Sequence, residues 1–106
     1  MYNKHSPVNV LITWDVDPSL KASLESRQLS LEIATDLCNE FSIRSTFFAT
    51  ATAGQASYSA FERMQSFGHE IGCHGLTHGD KEDYNRMPPT MQRDYIMKAK
   101  IGRAHV

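Results

Sequence analysis

The chain has 106 residues, of which 41% are apolar and 22% are charged, and its formal net charge is −1. This balance predicts one small globular domain or part of one, and it argues against a disordered chain, a basic nucleic-acid-binding surface and a membrane span. The two cysteines, Cys38 and Cys73, are too few for a disulfide framework. No apolar core of signal-peptide length follows Met1, so a cytoplasmic location is expected if Met1 is the true start. Composition leaves the oligomeric state open.

The first predicted elements are a buried strand and an amphipathic helix. Residues 8–14, VNVLITW, are apolar at nearly every position, which predicts a parallel strand buried on both faces and ended by Pro18. Residues 18–28 are polar and carry no clear prediction. A helix is predicted from Leu29 onward, because apolar side chains recur along one face. The predicted buried stripe consists of Ile33, Ala34, Leu37, Cys38 and Phe41.

A second strand and a shorter helix follow after a connection at residues 42–44. Residues 45–50, STFFAT, are β-branched and aromatic, which predicts the strand. Gly54 is expected to break the pattern. The helix that follows is predicted from the spacing of Tyr58 and Phe61, and Gly68 is expected to close it.

The third strand is predicted at residues 69–73, HEIGC, between two glycines. Pro88 and Pro89 precede TMQRDYIMKAK, which suits a third helix with proline in its first turn. Strands and helices that alternate at this spacing indicate parallel βα units. Three such units are too few for a closed barrel of about 250 residues. The predicted fold class is therefore α/β, the first half of a barrel-like domain.

Two acid and histidine pairs are predicted to meet at one edge of this sheet. Asp15 and Asp17 follow the first strand, and His74 and His78 follow the third. The carboxyl ends of parallel strands share one rim, which is where barrel enzymes carry their functional residues.

The spacing of His74 and His78 requires a curled backbone if both rings bind one metal. Glycines at positions 72, 75 and 79 disfavour a helix. On a straight strand the two residues would lie about 13 Å apart, far beyond the reach of one ion. Gly75 and Gly79 would permit a curl after Cys73. The alternative is a pair of exposed loop histidines without a metal.

The two carboxylates point to the same side of an extended segment, because they are two residues apart. A metal would relieve their repulsion, with one carboxylate binding it and the other left as a general base. The alternative is that Asp17 caps a helix beginning at Pro18, which leaves Asp15 unexplained. Strand alternation turns Cys73 away from His74, so Cys73 is expected to be a small core residue. His69 is expected to be structural or solvated.

These residues resemble motifs of the polysaccharide deacetylase family, the NodB-homology domain. TWDVD at 13–17 resembles a variant of the family's T-F-D-D-G motif with one residue between the aspartates. HGLTH at 74–78 resembles H-[ST]-x-x-H, with Gly75 in place of Ser or Thr. GHEIGCH resembles the G-x-E-[IV]-G-x-H segment before that motif, and STFFAT resembles the A-T-F-F strand. The likeness covers nearly all of residues 8–100, in the family's order.

The resemblance implies a distorted (β/α) barrel and a role for each candidate residue. Asp15 would be the general base, and Asp17, His74 and His78 would bind one divalent ion, with Zn²⁺ expected. The implied activity is hydrolysis of a carbon–nitrogen bond that removes N-acetyl groups from a carbohydrate or peptidoglycan-like substrate. The family's general-acid histidine belongs to a later motif that is not found in these residues.

Two alternatives stay open at this point. The Asp-x-Asp form is also familiar from allantoinase-like enzymes, which would hydrolyse a small cyclic amide. The chain could instead be a metal- or carbohydrate-binding fragment without turnover. Residues 1–100 are interpreted as a truncated NodB-homology domain. The last six residues, IGRAHV, resemble the translation of a common sequencing-adapter stretch, although a native helix end capped by Gly102 would also explain them.

Overall fold

The computed structural model describes residues 7–18 and 21–104 of the chain. Its centre is a three-stranded parallel sheet in the order β1-β2-β3. The predicted alternation of parallel strands and helices is confirmed. Within the described residues the elements are β1 (Thr13–Val16), α1 (Leu24–Glu40), β2 (Thr46–Ala49), α2 (Ala51–Ala56), α3 (Tyr58–Ser66), β3 (Glu70–Cys73), a 3-10 turn (Tyr84–Arg86) and α4 (Pro89–Ala104).

One face of the sheet carries the core. Trp14, Phe47 and Ile71 lie side by side across the three strands, in register. Apolar residues of α1 and α3 cover this row, and they include Cys38, Phe61 and Met64. The strands alternate, so this face holds every second residue and the other face holds the rest.

The opposite face of the sheet is only partly covered by the described residues. Asp15, Phe48 and Gly72 form one row across it. A Cβ on Gly72 would lie 2.5 Å from the Phe48 ring, so glycine at this position of β3 leaves room for the aromatic ring of β2. Asp15, at the edge of this row, has an exposed side chain.

The predicted first strand is wrong in its bounds and its burial. β1 begins at Thr13, and residues 8–12 are exposed, with Leu11 90% exposed. β1 is at the edge of the sheet in the described part of the chain, so neighbours cover it on one side only. The hydrogen bond from the Thr46 N–H to the Ile12 carbonyl is where pairing with β2 begins.

The predicted buried stripe of α1 is also partly wrong. Ile33, Leu37 and Phe41 are exposed, and the face toward the sheet holds Leu31, Ala34, Thr35 and Cys38. Small side chains there allow a close approach to the strands. Thr35 is 1% exposed, and its buried hydroxyl is satisfied by donating to the Leu31 carbonyl within the helix. The helix also begins earlier than predicted, at Leu24, where the Ser23 hydroxyl accepts a hydrogen bond from the Ser26 N–H.

The later elements match the predictions more closely. α3 ends before Gly68, whose φ of +86° supplies the left-handed turn expected there, and Pro89 is the first residue of α4. Gly54 is the exception, since it lies inside α2 and is buried. None of the helices described is both long and apolar enough to cross a bilayer. Residues 101–104 continue the backbone of α4, while His5 and the last two residues of IGRAHV lie outside the described residues.

Candidate metal centre

The rim at the carboxyl ends of β1 and β3 brings three predicted ligands together. Asp17 Oδ1 lies 2.9 Å from His74 Nε2 and 3.7 Å from His78 Nε2. One donor atom from each of the three residues falls within 4.8 Å of the others. The alternative role of Asp17 as the cap of a helix beginning at Pro18 is not supported, because Pro18 is not helical and the first helix among the described residues, α1, begins at Leu24 with Ser23 as its cap.

The backbone between the two histidines curls as their spacing requires. The His74 N–H still donates to the Ala49 carbonyl, which continues the pairing with β2. The chain then turns at Gly75, whose φ is +93°, and again at His78, whose φ is +59°. The two imidazole rings end with their centroids 5.2 Å apart and their planes 28° from parallel. Gly75 contributes as predicted, whereas the second left-handed residue is His78 rather than Gly79.

Glu82 is a residue of this site that the sequence analysis missed. Its carboxylate accepts hydrogen bonds from the backbone N–H groups of Leu76, Thr77 and His78, and from two hydroxyls. Burial alone would raise the pKa of Glu82, but these hydrogen bonds outweigh burial and lower the pKa to about 2. Burial and the neighbouring Glu82 carboxylate raise the pKa of Tyr84. Asp80, Glu82 and Asp83 look alike in sequence, so only the folded loop distinguishes Glu82.

Asp15 does not join the cluster of possible ligands. It lies in β1 with an exposed side chain, two residues before Asp17, and its carboxylate has no hydrogen-bond partner among the described residues. The two carboxylates therefore differ in their surroundings, since Asp17 contacts both histidines and Asp15 is free.

Cys73 is exposed, so its prediction as a core residue is wrong. It shares a face of β3 with buried Ile71, but it is the last residue of the strand. The helix α4 leaves an open depression of about 520 Å³ there, lined by Cys73, His74, His78, Glu82, Tyr84 and Ile96.

His69 is a structural residue, which was one of its two expected roles. It is 5% exposed, and its Nδ1 accepts a hydrogen bond from the Ser45 N–H. Its Nε2 lies 2.9 Å from Asn39 Oδ1, to which a neutral ring protonated on Nε2 would donate. Burial and, to a lesser extent, the charge of Arg44 lower the pKa of His69.

The donor atoms of Asp17, His74 and His78 fit one divalent ion. Two imidazole nitrogens and one carboxylate oxygen are a ligand set typical of catalytic zinc, which keeps a further position open. In a tetrahedral site, neighbouring ligand atoms lie roughly 3.4 Å apart. The observed distances from Asp17 Oδ1, 2.9 and 3.7 Å, lie on either side of that value.

The fold and this rim define an α/β protein of parallel βα units with a two-histidine, one-carboxylate cluster at the strand ends. The chain matches the polysaccharide deacetylase family over residues 2–101, and it belongs to that family. A comparison with curated proteins gave no match.

Among solved structures, the chain is similar to the Bc1960 peptidoglycan N-acetylglucosamine deacetylase, which was crystallised with 4-naphthalen-1-yl-N-oxidanyl-benzamide. The TM-score is 0.64 at 19% sequence identity, and the match covers 90% of this chain. It covers 39% of the deacetylase, so the chain spans about two fifths of that protein's length. The likeness shows that the two proteins share this part of the fold.

Proposed function

We propose that the chain belongs to a metal-dependent hydrolase that removes N-acetyl groups from a carbohydrate or peptidoglycan-like substrate. The observation that carries the proposal is the convergence of donor atoms of Asp17, His74 and His78 within 4.8 Å of one another, with the unengaged carboxylate of Asp15 two residues before Asp17. Membership of the polysaccharide deacetylase family supports the reaction class. The name of the structural neighbour, a peptidoglycan N-acetylglucosamine deacetylase, supports the substrate class.

Asp17, His74 and His78 would hold the ion, and Zn²⁺ is the proposed metal because nitrogen and oxygen donors suit it. Such an ion supplies Lewis acidity toward the amide carbonyl and lowers the pKa of water to near neutrality. Two open depressions offer space for a substrate at this rim, one lined by His74 and His78 and the other by Asp15 and Asp17.

Asp15 is proposed as the general base. A base must have a lone pair free at the reacting centre, and the Asp15 carboxylate has no hydrogen-bond partner among the described residues. Asp17 is less suited, since its Oδ1 is already within hydrogen-bond reach of His74. The leaving amine must also gain a proton. Of the histidines in the described residues, His69 is buried and hydrogen-bonded, and the other two are proposed ligands. None of these three is therefore proposed as the donor of that proton.

Metal analysis of the purified chain tests the proposed ligands. We expect about one equivalent of zinc after reconstitution and dialysis, and its loss in a His74→Ala/His78→Ala double variant. A His5→Ala/His105→Ala variant is the matched control, because it also removes two histidines but leaves the proposed ligands intact. Equal metal content in the chain and in the His74→Ala/His78→Ala variant would overturn the proposal.

Substrate assays on the metal-loaded protein test the reaction. Acetate release from N-acetylated chito-oligosaccharides or peptidoglycan fragments is the expected result. Opening of allantoin without acetate release would favour a small cyclic amide instead. Carbohydrate binding without either reaction would indicate a binding fragment.

A further inference from the structure

We propose that Glu82 is a positioning residue that holds the loop between His74 and His78 in the shape that brings their rings together. The inference rests on the proposed function, because the value of that shape lies in binding one ion. Glu82 itself is outside the group of donor atoms that could bind the ion.

The Glu82 carboxylate uses both oxygens to hold the loop. Oε1 accepts from the Thr77 N–H at 2.7 Å, from the His78 N–H at 3.0 Å and from the Thr77 hydroxyl at 3.1 Å. Oε2 accepts from the Leu76 N–H at 2.7 Å and from the Tyr84 hydroxyl at 2.7 Å. Three successive backbone N–H groups thus converge on one side chain, and the last of them belongs to a proposed ligand. Hydrogen bonds to an ionised acceptor are the strong ones.

The loop needs this support because its backbone is strained. His78 has a φ of +59°, a left-handed conformation that a residue with a Cβ adopts only when its surroundings enforce it. The carbonyls of Gly75 and Leu76 accept hydrogen bonds from the N–H groups of Ala51 and Thr52, at the start of α2. The loop is therefore held on both sides, by α2 through its carbonyls and by Glu82 through its N–H groups.

Gly75 and Glu82 depend on each other sterically. A Cβ at position 75 would lie 2.8 Å from Glu82 Oε2, so the carboxylate occupies space that any side chain at 75 would need. The position where the H-[ST]-x-x-H pattern has Ser or Thr is a glycine in this chain. The structure gives two reasons: the left-handed φ of +93° at Gly75, and the Glu82 carboxylate that lies against this position and holds the loop from there.

The decisive variant is Glu82→Gln, which keeps the size of the side chain. Both oxygens of Glu82 accept hydrogen bonds. In either orientation, the side-chain amide of the variant would therefore place its NH₂ group against N–H or O–H donors of the loop. Asp80→Asn is the matched control, because it removes one negative charge two residues from His78 and leaves Glu82 in place. We expect Glu82→Gln to weaken zinc binding by about 10- to 100-fold, as loss of a group that orients ligands does, with Asp80→Asn close to the parent chain. Zinc affinity is measured by competition with a chromophoric chelator.

A second readout uses the metal-free chain and does not depend on the proposed function. In nuclear magnetic resonance spectra we expect Glu82→Gln to shift the amide protons of residues 76–78 upfield and to remove the contacts between the two imidazole rings. Unchanged ring contacts and unchanged zinc affinity would overturn the inference, whereas a parent chain that binds no zinc would overturn the proposed function alone.

Should Glu82→Gln unfold the chain, Tyr84→Phe decides, since it removes one hydrogen bond from Oε2. Weaker zinc binding in this variant supports the inference, and unchanged binding overturns it.

Discussion

Asp15 and Asp17 are two residues apart, yet their carboxylates have different surroundings. Asp17 Oδ1 lies 2.9 Å from His74 Nε2, while Asp15 is exposed and has no hydrogen-bond partner among the described residues. β1 ends at Val16, so Asp15 is held by the sheet and Asp17 lies beyond it. This difference is the basis for giving the two carboxylates different proposed roles.

Asp15→Asn should separate catalysis from metal binding. The amide cannot accept a proton at neutral pH, so we expect acetate release to fall by about 10²- to 10⁴-fold while zinc content stays that of the parent chain. Asp17→Asn is the contrasting variant, expected to lose zinc as well as activity. If Asp15→Asn were as active as the parent chain, Asp15 would not be the base.

Gly75→Ala should weaken the loop between the histidines. The φ of +93° is unfavourable for alanine, and the new Cβ would approach Glu82 Oε2 at 2.8 Å. We expect a loss of about 1–3 kcal/mol in the free energy of unfolding, together with weaker zinc binding, measured by urea denaturation and chelator competition. Gly79→Ala is the control, because the φ of Gly79 is not left-handed and its nearest neighbour is the Thr77 hydroxyl at 3.3 Å. Equal losses in both variants would show that Gly75 has no special role.

At the scale of elements, His69 joins three parts of the fold. It lies just before β3, and its ring contacts Asn39 of α1 and the backbone of Ser45, just before β2. The ring also meets Phe47 edge-on, with centroids 5.7 Å apart. If Nδ1 were protonated, its N–H would face the Ser45 N–H, so two hydrogen-bond donors would oppose each other. The neutral ring is therefore the form that the packing of these elements requires.

The stability of the chain should fall in mild acid because of His69. Its pKa is below the ordinary value of 6.5 in the folded state, so the unfolded state binds more protons as the pH falls below 6.5. The contribution of the neutral ring is complete above pH 6.5 and is lost as the pH falls through the folded-state pKa. Urea denaturation between pH 7.5 and 5, with a chelator present, measures this loss.

His69→Gln identifies the source of that pH dependence. Glutamine can accept the hydrogen bond from Ser45 and cannot gain a proton in this range. The variant should be less stable at pH 7.5 but lose less stability on acidification. The other titrating groups are common to both proteins. If the two proteins lose the same stability between pH 7.5 and 5, the pH dependence comes from groups other than His69.

At the scale of the whole molecule, two apolar surfaces are exposed. One is the segment of residues 8–12 before β1, and the other is the outer stripe of α1 formed by Ile33, Leu37 and Phe41. The radius of gyration is 16.1 Å, against roughly 13 Å for a compact domain of this length. An exposed apolar segment that leads into an edge strand is a template for pairing with another chain.

Leu11→Lys should therefore reduce self-association of the chain. Leu11 is 90% exposed, so the substitution is expected to change the free energy of unfolding by less than about 0.5 kcal/mol. Analytical ultracentrifugation over a range of concentrations measures the association. Gln55→Lys adds the same charge at an exposed polar position of α2 and should leave it unchanged. Association that is the same in both variants would rule out this segment as its cause.

The short helix α2 was missed, since Gly54 was expected to break the pattern there. The alternation of parallel strands with helices and the shared rim were predictable, because apolar runs, glycines and prolines mark them locally. The bounds of β1 and the buried face of α1 were not. VNVLITW has the composition of a buried strand, but burial depends on which neighbours cover it. In α1, apolar residues occur on two faces of the helix. Which face is buried depends on how closely the helix approaches the sheet, and a close approach favours Ala34 and Cys38 over larger side chains.

Some features of the site follow from residue types and their order along the chain: two aspartates after one strand, two histidines after another, and a glycine where the backbone must turn. These features are local, since they depend on side-chain chemistry and backbone freedom. Which of these side chains meet depends on how the elements pack. The parallel register of β1, β2 and β3 places Asp17 beside His74, and the curl at Gly75 brings His78 to the same place. The selection of Glu82 from three nearby acids also belongs to the fold, because it requires a carboxylate to reach three N–H groups that exist side by side only once the loop has formed.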